Sequence, residues 1–155
     1  MRSLLIALLL CAPVAAEAPL TAVSGGYVAL SVADLDASAK WYASTFDLSV
    51  VRNRSQSPDK KALATILTGH GLIVELVQHS DAAPLKEAAP PRTRAFEVHG
   101  IFKWGITVAD LDAAFKELEA RKVDVAFRVF ADAGLGLRTF AIRDNSGNMI
   151  QFFGK

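Results

Sequence analysis

The six residues Val32 to Ala37, VADLDA, recur unchanged as Val108 to Ala113, 76 positions later. The same offset matches residues on both sides of that run. Ala29-Leu30-Ser31 falls on Gly105-Ile106-Thr107, Arg52 on Arg128, Ile66 on Ile142 and Gly71 on Gly147. Ile73-Val74-Glu75-Leu76 falls on Met149-Ile150-Gln151-Phe152. A constant, ungapped offset running to the end of the chain reads as duplication of one structural module. The fold must therefore be one that a single unit can build twice.

Each copy carries the same order of elements. Tyr27 to Val32 alternates in character and ends β-branched, as a half-buried strand does. Asp34 and Asp36 then offer carboxylates to the free N–H groups at the start of a helix running to about Phe46, with Trp41 and Tyr42 placed to pack on a sheet. Leu48 to Arg54 reads as a second strand, and Ser55 to Lys61, with Pro58, as a polar loop. Leu63 to Thr68 and Leu72 to Gln78 form a hairpin about Gly69-His70-Gly71. The second copy repeats this with a strand over Lys103 to Val108, a helix from Asp112 to Lys122, and strands at Val125 to Phe130, Arg138 to Arg143 and Asn148 to Phe153. Its last turn is Asp144-Asn145-Ser146-Gly147. The expected fold is α+β, two tandem βαβββ modules with mixed sheets: module 1 over 25–80, a linker with Pro84, Pro90 and Pro91 over 81–100, and module 2 over 101–155.

The residues before the first module have a different character. Arg2 is followed by the apolar run Leu4 to Cys11 and then by the small residues Val14-Ala15-Ala16, the pattern of a signal peptide cleaved after Ala16, or alternatively after Ala18. The run is too short to span a bilayer. Lipid attachment at Cys11 would need a small residue where Leu10 stands. The expectation is an exported protein, periplasmic or secreted, with no membrane attachment after cleavage. Cleavage removes the only cysteine, so disulfide, thiol-nucleophile and thiolate-metal chemistry fall away. Seventeen basic against 16 acidic residues leave no cationic excess for phosphates, which argues against nucleic acid as a partner.

The segments YVALSVADLDASAKWYASTFDL, KWGITVADLDAAFKELEARKVDV and RDNSGNMIQFF resemble the vicinal oxygen chelate superfamily, from about residue 25 to the C-terminus. That group includes glyoxalase I, bleomycin- and fosfomycin-resistance proteins, methylmalonyl-CoA epimerase and extradiol dioxygenases. The resemblance implies a cleft between curved sheets. In metal-using members, side chains from the first and last strand of each module converge there on a divalent cation. The matching positions here are Tyr27, Glu75, Lys103 and Gln151. Strand alternation and the repeat place them on one kind of face, with Ala29, Ser31, Gly105 and Thr107 as small neighbours that leave room.

These four residues make a poor metal site. Glu75 is a good ligand and Gln151 an acceptable one, but neutral Tyr27 is weak and protonated Lys103 repels a cation. No resident metal is expected; if one binds, Glu75 and Gln151 would hold it. Two readings of the constellation stay open. Lys103 and Glu75 form a structural ion pair, or Lys103 supplies the positive charge that orients an organic anion with Glu75 as base. Arg52 and Arg128 are either solvated or an anion clamp, Gly134-Leu135-Gly136 is a turn, and Trp41 and Phe115 belong to the core. The expected function is binding of a small organic molecule without a catalytic metal, with a homodimer as a possible assembly. The alternatives are a metal-dependent lyase, isomerase or dioxygenase, and a scaffold for protein association.

Overall fold

A computed structural model describes residues 25–88, 94, 97 and 99–155. The expected signal segment and its expected cleavage sites lie outside the described residues. Module 1 consists of β1 (Gly26–Ser31), α1 (Leu35–Phe46), β2 (Ser49–Gln56), β3 (Ala62–Gly69) and β4 (Leu72–His79). The short helix α2 (Leu85–Ala88) falls in the linker. Module 2 consists of β5 (Lys103–Thr107), α3 (Leu111–Ala120), β6 (Asp124–Asp132), β7 (Leu137–Arg143) and β8 (Met149–Gly154). The sheets have the matching orders β1-β4-β3-β2 and β5-β8-β7-β6, and the first strand of each module pairs parallel with its last. The expected βαβββ duplication is the fold observed.

Both helices start at a capping Asp, and the second begins one residue before the expected Asp112. Asp34 and Asp110 sit in extended backbone, and their carboxylates accept from the backbone N–H of Ala37 and Ala113. Each such cap contributes about 1 kcal/mol. Strand β2 runs two residues past its expected end, because Ser55 and Gln56 keep pairing with Ala64 and Leu63 beyond irregularities at Val50/Arg52 and Arg52/Ser55. Equivalent irregularities recur in β6. Bulges of this kind curl a sheet.

The ungapped repeat fails in one place. The offset sets Ile66 on Ile142, but Ile66 lies opposite Glu75 while Ala141 lies opposite Gln151. The equivalent of Ile66 is thus Ala141, one residue earlier. The cause is the hairpin turn. His70 and Gly71, both at positive φ, close the first with two residues, whereas Asn145, Ser146 and Gly147 close the second with three, of which Gly147 is at positive φ. The extra residue accommodates the Asp144 carboxylate, which accepts from the backbone N–H of Ser146 and Asn148 at 2.9 and 2.8 Å. A slip of one residue exchanges the faces of a strand. Ile142 is therefore in the core, while Ile66 lies on the opposite face of its sheet, with Glu75.

The modules share one core. Val28, Leu30, Val74 and Leu76 of the first sheet and Trp104, Ile106, Ile150 and Phe152 of the second belong to a single cluster with Leu35, Tyr42 and Leu118. Phe46 of α1 stacks on Phe152 of β8 with ring centroids 6.2 Å apart, and Phe152 stacks on Phe140 at 4.5 Å. Polar contacts fasten the same interface. The Tyr42 hydroxyl donates to Asp144 at 2.8 Å. Helix α1 has no basic residue in its last turn. Arg121 of module 2 caps it instead, donating to the carbonyls of Ser44 at 2.6 Å and Thr45 at 2.8 Å. The helix-bearing faces are thereby used up within the chain, and the opposite faces of both sheets point away from this core.

Candidate functional site

Strand alternation places Tyr27, Ala29, Ser31, Ile73, Glu75 and Val77 on the face of the first sheet that points away from the core. Tyr27 is 61% exposed, and its hydroxyl donates to the Glu75 carboxylate across the parallel β1–β4 pair. Ile66 lies opposite Glu75, and Arg52 lies opposite Ile66. This side of the sheet thus joins a phenol–carboxylate pair to apolar Ile66 and exposed Ile73. The hydrogen bond to Glu75, burial and the Glu75 charge all raise the Tyr27 phenol above its ordinary value.

Because the folded protein favours the phenol, this group contributes stability that is present below pH 10, the ordinary tyrosine value, and is lost as pH rises through the higher folded value. The chain has two tyrosines, and the other, Tyr42, is fully buried. Burial first, then the Asp144 charge, pushes Tyr42 far above the usual range. Spectrophotometric titration of the folded protein should therefore find no tyrosine ionising at the ordinary value. In Glu75→Gln one tyrosine should ionise at lower pH. An unchanged titration curve in Glu75→Gln would show that the pair does not form in solution.

The second sheet carries Lys103, Gly105 and Thr107 on β5 and Gln151 and Phe153 on β8. The ion pair expected between Glu75 and Lys103 is not formed. Glu75 is engaged by Tyr27, while the Lys103 ammonium lies 5.4 Å from the centroid of the Phe102 ring. The physical reason is the shared core: with both helix-bearing faces turned into it, the two candidate halves sit on separate sheets. Gln151 is only 5% exposed. Its amide N–H donates to Thr139 Oγ1 at 2.8 Å, and Thr139 Oγ1 donates to the Phe152 carbonyl at 2.7 Å. The hydroxyl's single proton is thereby spent, so the Gln151 group facing it must be the NH2. Gln151 Oε1 is left buried without a hydrogen-bond partner.

A small cavity of about 210 Å³ brings together Lys103, Gly105, Gln151, Asp132, Leu135 and Phe153. Gly105 keeps it open, since a Cβ there would meet the Gln151 carbonyl at 2.9 Å and the Phe153 ring at 3.0 Å. Sequence reasoning missed Asp132 and Leu135, which the turn containing Gly134 and Gly136 brings over the sheet. A larger groove of about 750 Å³ runs between the modules, lined by Phe46, Leu72, Ile106, Thr107, Arg121 and Phe152 among others. Thr107 faces this groove, and Ser31 is exposed at the end of β1. Arg52 and Arg128 are not structural equivalents, because the slip in β7 sets Phe127 opposite Ala141 where Arg52 is opposite Ile66. Arg128 instead pairs with Glu119 at 2.8 Å and covers the Phe115 ring.

The donor set does not fit a divalent cation. Of the four positions, one is a phenol already donating to the only carboxylate, one is an ammonium, and the two halves lie on different sheets. Among the described residues no group of three or more His, Cys, Asp or Glu side chains gathers elsewhere.

Residues 25–152 match the family model described as the Glyoxalase/Bleomycin resistance protein/Dioxygenase superfamily. Solved structures share the fold at low identity. A glyoxalase family protein from Enterococcus faecalis aligns with a TM-score of 0.68 at 15% identity, covering 86% of this chain and 97% of its own. A glyoxylase/bleomycin resistance protein/dioxygenase domain from Frankia sp. EAN1pec aligns at 0.66 and 18%, covering 88% and 93%. Lactoylglutathione lyase from Agrobacterium tumefaciens aligns at 0.58 and 20%, covering 88% and 96%. No curated protein matches the sequence. With the family model spanning both modules, the chain belongs to the Glyoxalase/Bleomycin resistance protein/Dioxygenase superfamily, the vicinal oxygen chelate fold.

Proposed function

We propose that this is an exported protein that holds a small organic molecule on the sheet faces carrying Tyr27, Glu75, Lys103 and Gln151, without a resident metal. The observation that supports this is the chemistry of those positions. They offer a hydrogen-bonded phenol–carboxylate pair and an ammonium with no carboxylate partner, groups suited to polar organic functions. Beside them Tyr27 and Ile73 expose apolar surface that a ligand or a second copy would cover. A homodimer would serve this reading by setting the Glu75 half of one copy against the Lys103 half of the other. Glu75 and Gln151 keep alive a second reading, a metal-dependent lyase, isomerase or dioxygenase, for which the likeness to lactoylglutathione lyase is the support.

Elemental analysis separates the two readings. The expected result is no stoichiometric metal in the purified mature protein. About one equivalent of zinc, nickel, manganese or iron, lost in Glu75→Ala, would establish the second reading instead. A thermal-shift screen of small organic molecules tests binding directly, since a ligand at a hundred times its Kd stabilises the folded form by about 2.7 kcal/mol. Lys103→Met should abolish that shift while changing the stability of the free protein by less than about 1 kcal/mol, because an exposed cation over an aromatic ring contributes no more than that. A large loss of stability in Lys103→Met would return Lys103 to a structural role.

A further inference from the structure

We propose that the cavity between Lys103, Asp132 and Gln151 is a site for a zwitterion, an α-amino acid with an apolar side chain. The proposal deepens the small-molecule reading above and rests on it. It starts from two opposite charges that the fold leaves without an ion-pair partner among the described residues at one opening. The Lys103 ammonium and the Asp132 carboxylate line the same cavity, yet they form no ion pair with each other or with any other described residue. Asp132 Oδ1 accepts from the backbone N–H of Gly134 and Leu135 at 3.0 and 3.2 Å, which fixes its direction and leaves its charge uncompensated. Gln151 also lines the opening, and its Oε1 is buried with no hydrogen-bond partner among the described residues.

These groups select among ligand classes. Lys103 calls for an anion. Asp132 calls for a positively charged N–H donor. A plain carboxylate would satisfy Lys103 but would meet repulsion at Asp132. A plain amine would do the reverse. An amine and a carboxylate on one small molecule answer both groups with no net charge brought in. The ammonium has three N–H donors to offer the Asp132 carboxylate. The rest of the lining includes the apolar side chains of Leu135 and Phe153, which suits a branched or aromatic side chain. The cavity, about 210 Å³, lies below the size of pockets that take drug-sized ligands, so the molecule must be small.

The test is titration calorimetry on the whole mature protein with L-leucine, L-phenylalanine, 4-methylpentanoate and 3-methylbutylamine. The last two keep the leucine skeleton but carry only the anion or only the cation. Leucine or phenylalanine should bind at least tenfold more tightly than either half-ligand. Lys103→Met and Asp132→Asn should each weaken the amino acid at least tenfold at nearly constant melting temperature. Asp132→Asn keeps an oxygen for the turn amides, and it should also shrink the preference for leucine over 4-methylpentanoate, which a merely structural role would not do. Equal affinity for leucine and 4-methylpentanoate would overturn the proposal, as would amino-acid binding indifferent to both substitutions. If another class of compound stabilises the protein in a Lys103-dependent way while amino acids do not, the zwitterion falls and the small-molecule reading stands. If no compound does, both fall.

Discussion

Replacing Tyr42 by alanine is expected to lower stability by about 3–5 kcal/mol, the range for removing a large buried aromatic side chain. For a domain of this size that is a fall in melting temperature of roughly 10–20 °C. Tyr42 is fully buried where the modules meet. Its ring lies 4.9 Å from that of Trp41 and 5.8 Å from that of Phe46, and Phe46 in turn stacks on Phe152 of the other module. Alanine would open a cavity in the shared core and free one side of Phe46. Tyr42→Phe isolates the hydroxyl. It should cost about 1 kcal/mol, because Asp144 Oδ2 still accepts from the Asn148 amide at 2.9 Å. Urea denaturation of the two variants checks both values. A Tyr42→Ala protein as stable as an ordinary surface variant would mean that the modules do not pack through α1.

The second large effect is expected at Asp144, about 3 kcal/mol or more for Asp144→Ala. This carboxylate is 5% exposed and accepts from four donors: the Tyr42 hydroxyl, the Ser146 and Asn148 backbone N–H groups and the Asn148 side chain. Alanine strands the buried Tyr42 hydroxyl and loosens a turn whose Gly147 sits at φ 88°. The effects of Asp144→Ala and Tyr42→Phe should not add. A double-mutant cycle should give a coupling of about 0.5–3 kcal/mol, since the two residues share one hydrogen bond. Strict additivity would place the two groups out of contact. Asp144→Asn should fall between, because it keeps an acceptor oxygen for the turn amides.

Both residues were visible in the sequence, but only in local roles. Tyr42 sits at helical spacing where a sheet-packing aromatic belongs, and Asp144 opens a turn. That the two residues meet across 102 positions is a tertiary fact. The same holds for Arg121, which caps the helix of the other module. The candidate site divides along the same line. Alternation put Tyr27 on the same face as Glu75, and Lys103 on the same face as Gln151, correctly, because side-chain direction in a strand follows from the backbone alone. The expected Glu75–Lys103 pair was wrong, because alternation gives the face of a strand and not what that face meets.

By itself the sequence determined the duplicated βαβββ unit, the carboxylate cap at Asp34 and the balance of charge. All of these rest on interactions among residues close in the chain or on a period that the chain repeats. Tertiary structure alone decided three further points. One turn residue slipped β7 by one position, separating Arg52 from Arg128 and Ile66 from Ile142. The helices were drawn into one core, which left the two candidate halves on separate outward faces. A turn between β6 and β7 carried Asp132 and Leu135 to Lys103 and Gln151. Each depends on which surfaces bury the most apolar area together, a property of the assembled chain that no local pattern encodes.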